Sequence, residues 1–162
     1  MQMTLQQQLK PLADALNKKK DNVQVELDQE MKTVAIDSFG FAKSYLSTLE
    51  HSLGRSSRFN NDLLYNIAVM AMEKLFVALL ARYDWNATHH MPVALYKEAL
   101  QFETEMTDNM KATSILVGKF EAICSLDGFG YKTPTNDELH SMMTGMKEIE
   151  LLVEKRIEEI QS

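Results

Sequence analysis

From Leu63 to Ala81 the chain reads LLYNIAVMAMEKLFVALLA, in which only Asn66, Glu73 and Lys74 are clearly polar. A helix made from this segment shows apolar groups over most of its circumference, so it has no face it can turn to water cheaply. It has to be enclosed, by other helices or by a second copy of the chain. A membrane span is the other way to enclose it, because its length approaches the roughly 20 residues that cross a bilayer. Glu73 and Lys74 stand near its middle, where each charge costs about 2.5–3.5 kcal/mol on insertion scales. The segment is therefore expected to be the central rod of a helical bundle, with no membrane involved.

The flanking sequence supplies the rest of the bundle. Before the rod, Phe39, Ala42, Leu46, Leu49 and Leu53 form an apolar stripe at helical spacing, and Gly54 offers a stop. Asn60, Asn61 and Asp62 are alternative caps for the rod, each able to accept a hydrogen bond from its first free N–H groups. After the turn Arg82-Tyr83-Asp84-Trp85-Asn86-Ala87-Thr88-His89-His90, Pro92 suits the first turn of another helix, where its missing N–H has no partner to lose. That helix carries Leu95, Ala99, Phe102, Met106 and Met110, with Thr107-Asp108-Asn109 as a point for a break or kink, and Ile115, Leu116, Phe120 and Ile123 continue the stripe. Thr135 and Glu138 form a capping box. Behind it Leu139, Met142, Met143, Met146, Ile149, Val153, Ile157 and Ile160 repeat at three and four residues, with Lys147, Glu148, Glu154, Lys155, Glu158 and Glu159 assigned to water.

Together these segments predict an all-α fold: an up-and-down bundle of four or five helices over residues 37–162, preceded by an N-terminal extension over residues 1–36. In the extension, Leu5, Leu9, Leu12 and Leu16 fit a helix in which Pro11 is an awkward guest. Residues 21–36 admit two readings, a helix or a pair of short strands, and the helix is preferred because an isolated hairpin is marginal.

Composition narrows the chemistry. A formal charge of −6 gives no broad basic surface of the kind that draws binding energy from displaced counterions, so DNA is not expected as a partner. The single cysteine, Cys124, permits no internal disulfide and reads as a small apolar side chain in a cytoplasmic protein. The eleven methionines fall on apolar helical positions and read as adaptable packing. No Glu-x-x-His pair, phosphate loop or nucleophile elbow occurs, and His89 and His90 diverge too far to share an ion, so neither metal nor cofactor is expected. The candidate ligand-binding residues are Arg82, Trp85, His89 and His90, which bring a cation, imidazoles and an aromatic face to one turn. Tyr131 and Lys132 join them from the loop before the last helix, whose N-terminus favours an anion. The structural alternative for the turn is plainer: Arg82 complements the carbonyl end of the rod while Tyr83 and Trp85 close the core.

The run Ala71-Met72-Glu73-Lys74-Leu75-Phe76-Val77-Ala78-Leu79-Leu80, followed by His89-His90-Met91-Pro92-Val93-Ala94-Leu95, resembles the HEPN domain, the helical "higher eukaryotes and prokaryotes nucleotide-binding" family. The resemblance covers residues 37–160. It implies either a non-catalytic module, dimeric and binding a nucleotide or a nucleotidyltransferase-type partner, or a metal-independent ribonuclease of the toxin or defence kind. The family's ribonucleases carry an arginine followed a few residues later by a histidine near the start of the last core helix. Here the stretch CSLDGFGYKTPTNDELH contains His140 and no arginine. Arg82 and His89 have the matching spacing at a different turn, and they are the catalytic candidates if RNA is the substrate. The missing arginine favours the non-enzymatic homodimer.

Overall fold

The computed structural model describes residues 4–11, 27–53, 59–121 and 133–161. Gly54, Cys124, Tyr131 and Lys132 lie outside these residues. Every regular element described is helical: α1 (residues 5–11), α2 (Gln29–Leu53), α3 (Asn61–Arg82), α4 (Pro92–Leu100), α5 (Asp108–Glu121) and α6 (Asn136–Gln161). α1 is exposed throughout and opens with reciprocal bonds between Thr4 and Gln7.

α3 is the enclosed rod. It touches α2, α4, α5 and α6, and Leu75, Phe76, Ala78, Leu79 and Leu80 are fully buried. By length and composition alone it could cross a membrane, but most of it is buried inside the bundle. Asn60 caps it, its side-chain oxygen accepting from the Leu63 N–H at 2.9 Å. At the other end the N–H groups of Tyr83, Asp84 and Trp85 donate back to the carbonyls of Leu80, Ala81 and Leu80. Asp84 takes the left-handed conformation (φ 59°) that closes such an end, and an acidic side chain tolerates it better than most.

Cross-links fix the directions of the rods. Asn61 at the start of α3 donates to Asn136 at the start of α6, and Arg82 at its end pairs with Glu159 near the end of α6, so α3 and α6 run parallel. Thr107, just before α5, reaches Glu148, while Thr113 further along α5 abuts Gly145, so α5 runs antiparallel to α6. The Tyr65 hydroxyl donates to the Val117 carbonyl at 2.6 Å, placing the end of α5 beside the beginning of α3. Four long helices, α2, α3, α5 and α6, thus alternate up and down, and the short α4 fills the space between α3 and α5.

Two expectations need correction. Residues 29–36 belong to the first long helix: Asp28 caps it through the Met31 N–H at 2.8 Å, and Met31 and Ala35 sit in the core, so a boundary at residue 37 would cut through α2. The break expected at Thr107-Asp108-Asn109 comes earlier: α4 ends at Leu100 and α5 starts at Asp108, although Phe102 and Met106 keep an apolar register. The cause is tertiary: leaving the helix there lets Glu103 reach Arg156.

Candidate functional site

The turn after α3, the inner face of α4, residues 101–105 and the last turns of α6 meet at one end of the bundle. They enclose a charged cluster. Arg156 Nε and Nη2 donate to the two oxygens of Glu103 at 2.8 Å each, a bidentate pair, and Nη1 donates to Glu159 at 2.8 Å. Arg156 Nη2 also donates to Glu105, which Lys155 approaches at 3.1 Å. Glu159 serves two cations, since Arg82 Nη2 donates to its other oxygen at 3.0 Å. The Tyr83 hydroxyl donates to Glu103 at 2.6 Å. Tyr83 and Trp85 pack on Phe102, with ring centroids 6.0 and 5.2 Å away, and cover the cluster.

A second centre lies beside it. Glu98 is 4% exposed, yet it accepts from Trp85 Nε1 at 2.9 Å, from the Thr88 N–H at 2.8 Å and from the Thr88 hydroxyl at 2.7 Å. His89 Nδ1 stands 3.1 Å from its other oxygen. Burial pushes the Glu98 carboxyl up, but the bonds from Trp85, Thr88 and His89 outweigh it and hold it down at about 2. Glu103 is likewise pushed up by burial and brought below the usual range by Arg156, Tyr83 and the Glu105 N–H. The Tyr83 hydroxyl is driven well above its ordinary value by burial and by Glu103. It stays a donor.

The two centres differ in what they can do. In the first, guanidinium and carboxylate groups are occupied by one another, and Arg82 is 4% exposed. That arrangement ties the 101–105 connection to α3 and α6. In the second, an ionised carboxylate can only accept, so neutral His89 must carry its proton on Nδ1 and keep a lone pair on Nε2. Its ring is 56% exposed. A buried acid orienting an accessible imidazole has the geometry of a proton acceptor.

Of the residues singled out from the sequence, Trp85 and His89 come together on Glu98. Arg82 turns instead to Glu159, and His90 pairs with Glu73 on α3 at 3.2 Å, with its ring 85% exposed. Glu159, assigned to water by its place on α6, belongs to the cluster because two arginines converge on it. Glu98, Glu103 and Arg156 were missed. Their signal was a charge in an apolar register: Glu98 lies three residues after Leu95 and next to Ala99, and Arg156 lies three after Val153 and next to Ile157. No family model matches the chain, and no curated protein or solved structure matches it significantly.

Proposed function

We propose that this chain is a non-enzymatic, HEPN-like binding and assembly module that acts as a homodimer and serves a nucleotide or a nucleotidyltransferase-type partner. The observation that carries the reading is an exposed apolar strip along the α2–α3 seam. Phe41 is 55% exposed, and Leu63 and Met70 are 42% and 39% exposed. Lys74, one turn beyond Met70, lies 5.8 Å from the Phe41 ring, so the strip runs across both helices. Glu73 and Lys74 flank the strip with opposite charges, Glu73 pairing with His90 at 3.2 Å. The closed ion cluster fits a scaffold role, since it makes the end of the bundle rigid and leaves the seam as the face to be covered.

Sedimentation from low-micromolar to near-millimolar concentration tests this. A dimer is expected, and Met70→Glu should convert it to a monomer of unchanged helicity. A monomer throughout would overturn the assembly reading. A nucleotide that raises the melting temperature would identify the ligand class.

The Glu98–His89 pair favours one second reading, a metal-independent ribonuclease in which His89 takes the proton of a ribose 2′-hydroxyl as its oxygen attacks the adjacent phosphorus and the 5′-oxygen leaves. Arg82 then supports the turn from beneath through Glu159. RNA cleavage by the purified protein, lost in His89→Ala and slowed in Glu98→Gln, would establish it; intact RNA would exclude it.

A further inference from the structure

A furrow of about 440 Å³ runs between α5 and α6, away from both centres described above. One wall is Asn109, Thr113 and Leu116; the other is His140, Ser141, Thr144 and Glu148. Its floor exists because residue 145 has no side chain: a Cβ there would lie 2.0 Å from Thr113 Oγ1.

The chemistry of the walls is selective. Some helical hydroxyls turn back to the carbonyl four residues earlier, as Thr33, Thr48, Ser114 and the wall's own Thr113 do at 2.8–3.0 Å. Ser141 and Thr144 make no hydrogen bond among the described residues, and neither do the Asn109 amide and the His140 ring. These are four solvent-exposed hydrogen-bonding groups lining one furrow and not used within the described fold. The only formally charged side chain on the walls is Glu148, held by the Thr107 hydroxyl at 2.8 Å, and no lysine or arginine lines the furrow. An anion therefore meets repulsion there and an ammonium group meets a counter-charge. Glu148 and His140 are two turns apart on α6, about 12 Å. That matches an extended segment of roughly three residues.

We propose that this furrow binds a small primary amine bearing amide groups, as at the amino end of a short peptide. The ammonium sits on Glu148, and the amides bond to Thr144, Ser141 and Asn109. This does not rest on the dimer reading, because α2 and α3 contribute nothing to the furrow. Triglycinamide is the probe, with its N-acetylated form as the uncharged control, and amide chemical shifts of the full-length protein are the readout. Triglycinamide should shift resonances within residues 109–116 and 140–148, while the acetylated form should leave them in place. Glu148→Gln should weaken binding about tenfold, the size expected for a hydrogen bond to a charged group. Thr144→Val, which keeps the charge, should weaken it less. Equal binding of the acetylated probe, shifts elsewhere, or no shift at all would overturn the proposal. Sedimentation of the same samples reports on the dimer separately.

Discussion

Arg156 shows what a single side chain holds together. Its guanidinium is 11% exposed and its main acceptor, Glu103, is fully buried, so each charge leans chiefly on the other. Arg156→Ala leaves a carboxylate stranded and is expected to cost about 3–5 kcal/mol by chemical denaturation. The double change Arg156→Met with Glu103→Leu should recover most of that, because apolar groups of similar volume need no counter-charge. A double change no more stable than Arg156→Ala alone would mean the pair contributes more than mutual neutralisation. Glu98 makes the complementary prediction for acid. Its carboxyl titrates near 2 in the folded chain and near 4.5 when unfolded, so the native state binds fewer protons between these values. The stabilisation, on the order of 3 kcal/mol, is complete above about pH 4.5 and drains away as the pH falls toward 2. Glu98→Gln should lower stability at neutral pH and flatten this part of the acid profile. An unchanged slope would show that other carboxylates govern acid unfolding.

At the scale of the helix, two glycines have opposite consequences. Gly40 lies within α2 with nothing within 4 Å of where a Cβ would stand, so Gly40→Ala gains helix propensity at no steric cost, about 1 kcal/mol. Gly145 lies within α6 against Thr113, and the same change there should destabilise by driving α5 and α6 apart. Melting temperatures of the two variants should move in opposite directions. The helices themselves were largely legible, because what marks them repeats every turn or sits within four residues. The capping box is an example: the Thr135 N–H and hydroxyl exchange 3.1 Å bonds with Glu138, as the pair's spacing implied. A break was legible at Thr107-Asp108-Asn109, but not its true position at residues 101–107. Phe102 and Met106 keep the helical register, and what ends the helix is a pairing between Glu103 and Arg156, 53 residues apart. Periodicity carries no information at that range. The same limit applied to the candidate site: the aromatic and imidazole groups of the turn were visible, but Glu98 is marked only by its place in an apolar register beside Leu95 and Ala99, and nothing local says that Trp85 and His89 close on it.

At the scale of the molecule, the fold spends its most apolar helix on enclosure and still leaves part of it open. α3 is wrapped by four neighbours, yet Leu63 and Met70 on it reach solvent, as does Phe41 on α2. A second copy laid over that seam is the cover proposed for it. Mass action makes this measurable without any ligand. If the native chain dimerises and the unfolded chain does not, the melting temperature must rise with protein concentration. Met70→Glu should abolish the concentration dependence. It should leave the melting temperature of the dilute protein nearly unchanged, because a surface substitution away from buried contacts usually shifts stability by less than about 0.5 kcal/mol. The contrast separates two roles for the residue. A Met70→Glu protein that melts much lower even when dilute would place Met70 in the bundle's own packing. A wild-type melting temperature that ignores concentration would leave the seam as ordinary surface, and the assembly role would have to be sought on another face.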